Sequence, residues 1–231
     1  MPRPLYPSYM NLDPFIDVGR LRALDAFLTE RIEERLARAS DRAFYTGPFL
    51  LKAEAPTRPG TRMIYLSQPR GADDYYGLDR PEEWEPSSEV EEFAPLMDFI
   101  KTLPFAATAR MLIIYDDLGR AVSAHRDHNS TDLCHEFIWF RTNMNKPFYM
   151  LDPDTGEREY VRSHAAWFDS VNQFHGADAA DGLSFSIRVD GVFSDAFRAL
   201  IPFPAENRAA APSLWAAETS QRAQMIHDTL R

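Results

Sequence analysis

The chain has 231 residues, 45% hydrophobic and 26% charged, with a formal net charge of −10 and an isoelectric point near 5.1. That composition suits one globular unit with a real core, and the acidic balance argues against a general hold on phosphate backbones while leaving room for a local basic pocket. The one cysteine, Cys134, excludes an intrachain disulfide and a paired-cysteine metal site.

Residues 1–16 are rich in proline and read as an extended arm. Asp17 is placed to cap a helix over 18–36, where Val18, Leu21, Leu24, Leu28, Ile32 and Leu36 recur at three- and four-residue steps. Arg31, Glu33, Glu34 and Arg35 fill its other face. A strand is predicted over 62–67. Residues 68–88, with many Pro, Asp, Glu and Tyr, read as a long surface loop that shapes a substrate pocket together with the helical flanks. A second amphipathic helix fits Val90, Phe93, Leu96, Met97 and Ile100, ending before Pro104.

From Arg110 onward, short apolar or alternating runs are divided by turn residues: 111–115, 121–124, 136–141, 147–151, 158–161, 165–168 and 183–192. Strands at this spacing predict an antiparallel sandwich or barrel. Residues 205–212 read as a loop, and a helix is predicted over 214–230. The chain is expected to be a single domain over 1–231. It has an N-terminal helical and mixed layer over 1–107, a β core over 108–193 and a C-terminal helical extension over 194–231. No run of apolar residues reaches membrane-spanning or signal-peptide form, so a cytoplasmic location is expected, with neither membrane nor nucleic acid as partner.

Three of the six histidines, His125, His128 and His135, fall within eleven residues. On an extended segment His125 and Asp127 face one way while Arg126 turns aside, so the pair can reach one ion. A third ligand from a distant strand would complete two imidazoles and one carboxylate, a set that leaves positions open on iron(II) for a chelating co-substrate and O₂. His164, His175 and His227 are the later candidates. His175 is followed 13 residues on by Arg188, within Leu183-Ser184-Phe185-Ser186-Ile187-Arg188-Val189-Asp190. A guanidinium inside such an apolar strand calls for an anion, and a carboxylate is its natural counterpart.

Structural readings stand beside these. His128 reads first as a polar turn residue, His164 as an exposed residue at a strand start, and His135 as either a strand histidine or a site residue. Trp139, Phe140 and Trp167 read first as core. Asp116-Asp117 and Asp152-Pro153-Asp154 read as hairpin turns rather than calcium ligands, given the Leu118-Gly119 and Thr155-Gly156 that follow. Cys134 and His135 face opposite ways on a strand, which argues against a cysteine nucleophile.

On His125-x-Asp127, Trp167-Phe168-Asp169-Ser170 with His175, Arg188-Val189-Asp190 and the strand ending Thr142-Asn143, the chain resembles the 2-oxoglutarate-dependent dioxygenases. More narrowly, it resembles the aspartyl/asparaginyl β-hydroxylase and proline cis-hydroxylase group. The resemblance covers roughly residues 108 to 193. It implies a mainly β chain with flanking helices and a double-stranded β-helix core of jelly-roll or cupin-like form. It also implies iron(II) on His125, Asp127 and His175, with O₂ as oxidant. Arg188 would hold the distal carboxylate of 2-oxoglutarate. The carboxylate at Asp127 favours hydroxylation, since related halogenases carry a small residue there.

The chain departs from the group where Arg-x-His usually precedes Thr-Asn: His135-Glu136-Phe137 stands there instead. His135 is therefore assigned to the metal-proximal carboxylate of 2-oxoglutarate, with Arg141 as the alternative donor there. Arg141 is otherwise assigned to the substrate's own carboxylate or to the barrel rim, and Trp139 and His128 to the substrate. The function expected is hydroxylation of an amino acid or peptide-like small metabolite, with release of succinate and CO₂. The same cofactors allow desaturation, cyclisation or lipid hydroxylation. From other classes stand a non-catalytic cupin-type metal-binding protein and a structural interaction module.

Overall fold

The computed structural model of the protein describes residues 9–37, 45–46, 61–71, 78, 80–127, 136–170 and 173–200. His128, Cys134, His135, His227 and the predicted helix over 214–230 lie outside the described residues.

After β1 (Met10–Asn11), Asp17 acts as the cap expected of it, its Oδ1 accepting the Arg20 amide at 2.9 Å. The helix it starts is split at Leu24 into α1 (Val18–Ala23) and α2 (Asp25–Ala37). The apolar stripe carries through the break, since Leu21, Leu28 and Ile32 are all fully buried. Next come β2 (Tyr45–Thr46), β3 (Thr61–Tyr65), β4 (Ser67–Pro69) and β5 (Trp84–Pro86). The segment predicted as one long loop therefore contains a hairpin, with Gln68 opposite Glu85 and Pro69 opposite Trp84. Its strands are three residues each and both end in proline, which hides them from a search for alternation. The second helix is shorter than predicted. A 3₁₀ turn spans Ser88–Glu91, and α3 (Ala94–Ile100) starts afresh with Pro95 in its first turn.

Eight strands follow: β6 (Phe105–Asp116), β7 (Val122–His125), β8 (Phe137–Phe140), β9 (Phe148–Leu151), β10 (Arg158–Tyr160), β11 (Ala165–Trp167), β12 (Phe174–Ala177) and β13 (Ser184–Phe193). Strands β6, β8, β11 and β13 belong to a seven-stranded sheet of order β1-β11-β8-β13-β6-β3-β2, and β7, β9, β10 and β12 form a four-stranded sheet of order β10-β9-β12-β7. The pairing is nested: the first of the eight pairs with the last, the second with the seventh, the third with the sixth and the fourth with the fifth. That is the double-stranded β-helix, or jelly roll. The chain is mainly β with flanking helices, as expected. Asp116 Oδ1 accepts the Leu118 amide and Asp152 Oδ1 the Asp154 amide, so both acidic stretches are turns. Of these eight strands, the one absent from the sequence reading is β12, whose Phe-His-Gly-Ala has no β-branched residue.

Strand β13 shows how the sheet positions the site. Its alternation puts Ile187 and Val189 on one face, opposite Ile113, Met111, Phe140 and Ile138. The helices cover that face, with Phe99 of α3 in contact with Phe140 at 5.6 Å between ring centroids. Ser186, Arg188 and Asp190 point the other way, into the space between the sheets. The charged residues of this strand are thus as buried as its apolar ones. After β13, α4 (Asp195–Leu200) packs Phe197 on Phe193 and Phe15. Among the described residues no helix is long and apolar enough to cross a membrane.

Gly176 of β12 sits between two neighbours, and a Cβ there would lie 2.6 Å from both the Tyr149 hydroxyl and the Val122 carbonyl. Gly176→Ala is expected to destabilise the protein by about 1–3 kcal/mol and to push the adjacent His175 out of line. Thermal unfolding together with metal affinity checks this. An unchanged melting temperature would mean that the sheet yields without cost.

Candidate metal centre

His125 ends β7 and His175 lies directly opposite it in β12, with ring centroids 4.5 Å apart. Asp127 stands two residues past the strand, its amide held by the Ser170 carbonyl at 2.8 Å. The three side chains each offer one donor atom within 4.8 Å of the others. Asp127 Oδ1 is 3.8 Å from His125 Nε2 and 3.7 Å from His175 Nε2.

The ring protons are placed by the main chain. His125 Nδ1 lies 2.9 Å from the Ser123 carbonyl and His175 Nδ1 lies 3.1 Å from the Gln173 carbonyl. A carbonyl can only accept, so each Nδ1 donates, and each ring turns its Nε2 toward Asp127. A metal-binding histidine ligates through one nitrogen while the other is hydrogen-bonded in this way. Two imidazoles and one carboxylate within reach of one point fit a divalent transition metal with open positions.

Arg188 meets its anions within the protein. Its Nη1 donates to Asp127 Oδ2 at 2.7 Å and its Nε to Asp190 Oδ1 at 2.8 Å, while the guanidinium lies over the Phe137 ring at 4.0 Å. The Ser170 hydroxyl is 3.4 Å from Nη1. Arg188 is 6% exposed and Asp190 1%. Burial opposes the charged form of Asp127, but His175, Arg188 and His125 together outweigh it and hold its carboxyl well below the usual carboxylate range. The shortest of these contacts is the charged hydrogen bond from Arg188. Asp127 is therefore ionised at neutral pH.

Aromatic rings wall the His175 side. Phe168 and Phe148 stand 5.0 and 5.9 Å from its ring, and Trp139 stacks on Phe148 at 4.5 Å. Trp139 is thus one ring removed from His175. Arg141 differs from the sequence expectation. It is buried, its Nη1 and Nε donate to the carbonyls of Lys146 and Ser163, and its Nη2 donates to Val161. Those bonds brace the segments flanking β9 and β10, so its role as a hold on a substrate carboxylate is withdrawn. Thr142 and Asn143 both donate to Asp25 of α2, which explains the polar strand end structurally. His164 is half-buried rather than exposed, with Nδ1 on the Arg141 carbonyl. Sequence reasoning missed Ser123 and Gln173, whose contributions to the site run through main-chain carbonyls that no side-chain pattern betrays; it singled out Ser170 in a motif, but not that its carbonyl holds the Asp127 amide. It also missed Arg110, whose position two residues before Leu112 carries it to the Arg188 face.

No family model matches the sequence, and no curated protein matches it. Among solved structures, a Pseudomonas putida prolyl-4-hydroxylase is similar with a TM-score of 0.45 at 14% identity, over 81% of this chain and 93% of the other. A Trichoplax adhaerens prolyl hydroxylase gives 0.43 at 10%, over 84% and 86%. A Burkholderia pseudomallei oxidoreductase of the 2OG-Fe(II) oxygenase family gives 0.40 at 12%, over 77% and 94%. The jelly-roll assignment rests on the nested strand pairing rather than on likeness of this degree.

Proposed function

We propose that the chain is an iron(II)- and 2-oxoglutarate-dependent oxygenase that hydroxylates an amino acid or peptide-like small metabolite, releasing succinate and CO₂. The observation that carries this reading is the convergence of His125, Asp127 and His175, with donor atoms within 4.8 Å of one another, beside the buried guanidinium of Arg188. Iron(II) bound there supplies the redox chemistry with O₂. The protein's residues bind and orient. His125 and His175 present Nε2 lone pairs, and Asp127 presents an ionised Oδ1. Arg188 is the proposed counterpart of the distal carboxylate of 2-oxoglutarate, and His135 of its metal-proximal carboxylate. Phe148 and Phe168 exclude water on the His175 side. Trp139 and His128 are kept as proposed outer contacts to substrate. Kinship with the aspartyl/asparaginyl β-hydroxylase and proline cis-hydroxylase group, and action in the cytoplasm on a small molecule, belong to the same proposal.

The test is succinate release from 2-oxoglutarate by iron-loaded protein in air, with ascorbate and a panel of amino acids and short peptides. Succinate above a protein-free blank, lost in His175→Ala and raised by one class of additive, is the expected result. No succinate with any additive, from protein that holds iron, would sink the oxygenase reading.

One observation favours a second reading. Arg188 already pairs with Asp127 and Asp190, as it would in a non-catalytic cupin-type metal-binding protein with no anion to hold. Calorimetry of 2-oxoglutarate against the Co(II)-loaded protein separates the two: binding that depends on Arg188 supports the oxygenase, and no binding supports the alternative.

A further inference from the structure

Behind Arg188 the inner face of the large sheet carries a second arginine. Arg110 of β6 lies two residues before Leu112, which is paired with Arg188, so both guanidinium groups stand on one face. Arg110 Nε donates to Asp190 Oδ2 at 2.7 Å, and the other oxygen of Asp190 takes Arg188 Nε at 2.8 Å. Arg188 Nη1 then reaches Asp127 Oδ2 at 2.7 Å. The four side chains form one row, Arg110, Asp190, Arg188, Asp127, whose charges alternate and sum to zero. Buried charges persist when each is paired and hydrogen-bonded, and every member of this row has an opposite charge beside it.

The row has a direction. It ends on the outer oxygen of the carboxylate whose inner oxygen lies nearly equidistant from the two imidazole Nε2 atoms, 3.8 and 3.7 Å away. A carboxylate with both oxygens loose can rotate or offer both to an ion. With Oδ2 tied to a guanidinium, only Oδ1 is presented. A guanidinium is planar and its donors have fixed directions, so gripping Nε sets where Nη1 points.

We infer that Arg110 and Asp190 are positioning residues that, through Arg188, hold Asp127 to one-oxygen ligation of the metal. This rests on the metal site proposed above but not on 2-oxoglutarate, on O₂ or on any substrate.

The experiment is Co(II) binding to the full chain without 2-oxoglutarate, followed by calorimetry and by the visible absorption of the bound ion, which reports coordination. Thermal unfolding of each variant is measured alongside. Asp190→Asn keeps the shape and removes the charge, and is expected to weaken Co(II) binding about 10- to 100-fold, the usual range when a partner of a ligand is lost, and to alter the absorption. Arg110→Gln should move both in the same direction by less, and Arg110→Lys should restore most of the affinity. The Arg110 side chain is 15% exposed, so its variants can fold even where Asp190→Asn does not, and they then decide the matter alone. A parent chain that binds no Co(II) or Fe(II) sinks the metal site itself. A parent that binds metal, with variants that melt earlier but keep parental affinity and absorption, overturns the positioning role and leaves the row structural.

Discussion

Asp127→Ala is expected to abolish turnover and to weaken iron binding by more than about a hundredfold, beyond what loss of an outer partner does. The variant removes the one charged donor of the three and leaves His125 and His175 to hold a divalent ion alone. It also takes from Arg188 one of its two carboxylates, so a fold penalty of about 1–3 kcal/mol is expected as well, since a buried donor loses its acceptor. The second effect does not explain the first. Calorimetry at a temperature where the variant is fully folded isolates the ligand contribution. Retention of iron and of the parental rate in folded Asp127→Ala would end the three-residue site. Asp127→Asn is a useful companion, because it keeps the volume and a neutral oxygen. If metal binding depends on the charge, Asn should behave nearly as poorly as Ala.

The site was legible where chemistry needs side chains at fixed spacing. His125-x-Asp127 is a strand-period pair, His175 stands opposite it, and Arg188 interrupts an apolar strand where an unpaired cation would be costly. The jelly-roll strands were legible because apolar and polar residues alternate between turn signals, as in 184–190 of β13. What stayed hidden follows from physics the pattern does not carry. Strand β12 has no β-branched residue and is a strand because β7 and β9 flank it on both sides. The hairpin of β4 and β5 pairs three residues on each side within a stretch of prolines and acids. Arg141 looked like an anion hook because only its own sequence position was visible. The carbonyls of Lys146, Val161 and Ser163 that take its donors come from chain up to 22 residues away. Arg188 carried the same ambiguity in reverse. Its need for an anion was readable, but not that Asp127, a proposed metal ligand 61 residues away, supplies one alongside Asp190.

That pairing changes what Arg188→Ala should do. An arginine that served only the co-substrate could be removed with metal binding intact. Here the guanidinium holds Asp127 Oδ2 at 2.7 Å and Asp190 Oδ1 at 2.8 Å, so its loss leaves two buried carboxylates short of a cation. Three effects are expected together. Breaking a buried ion pair by removing one partner costs roughly 3–5 kcal/mol of stability. Freeing Asp127 to rotate should weaken metal binding about 10- to 100-fold. Loss of the counterpart for the distal carboxylate should weaken 2-oxoglutarate by roughly 2–5 kcal/mol, about 30- to several-thousand-fold. Arg188→Lys separates the second and third, since an ammonium keeps a charge in the pocket but cannot grip Asp190 and Asp127 at once with fixed donors. Lysine should therefore recover part of the 2-oxoglutarate affinity and less of the metal affinity. Metal affinity is measured first without 2-oxoglutarate, and co-substrate affinity then at saturating Co(II). If Arg188→Ala loses metal affinity while 2-oxoglutarate binds the metal-saturated variant as tightly as the parent, Arg188 serves Asp127 alone. The distal carboxylate must then be met by another residue.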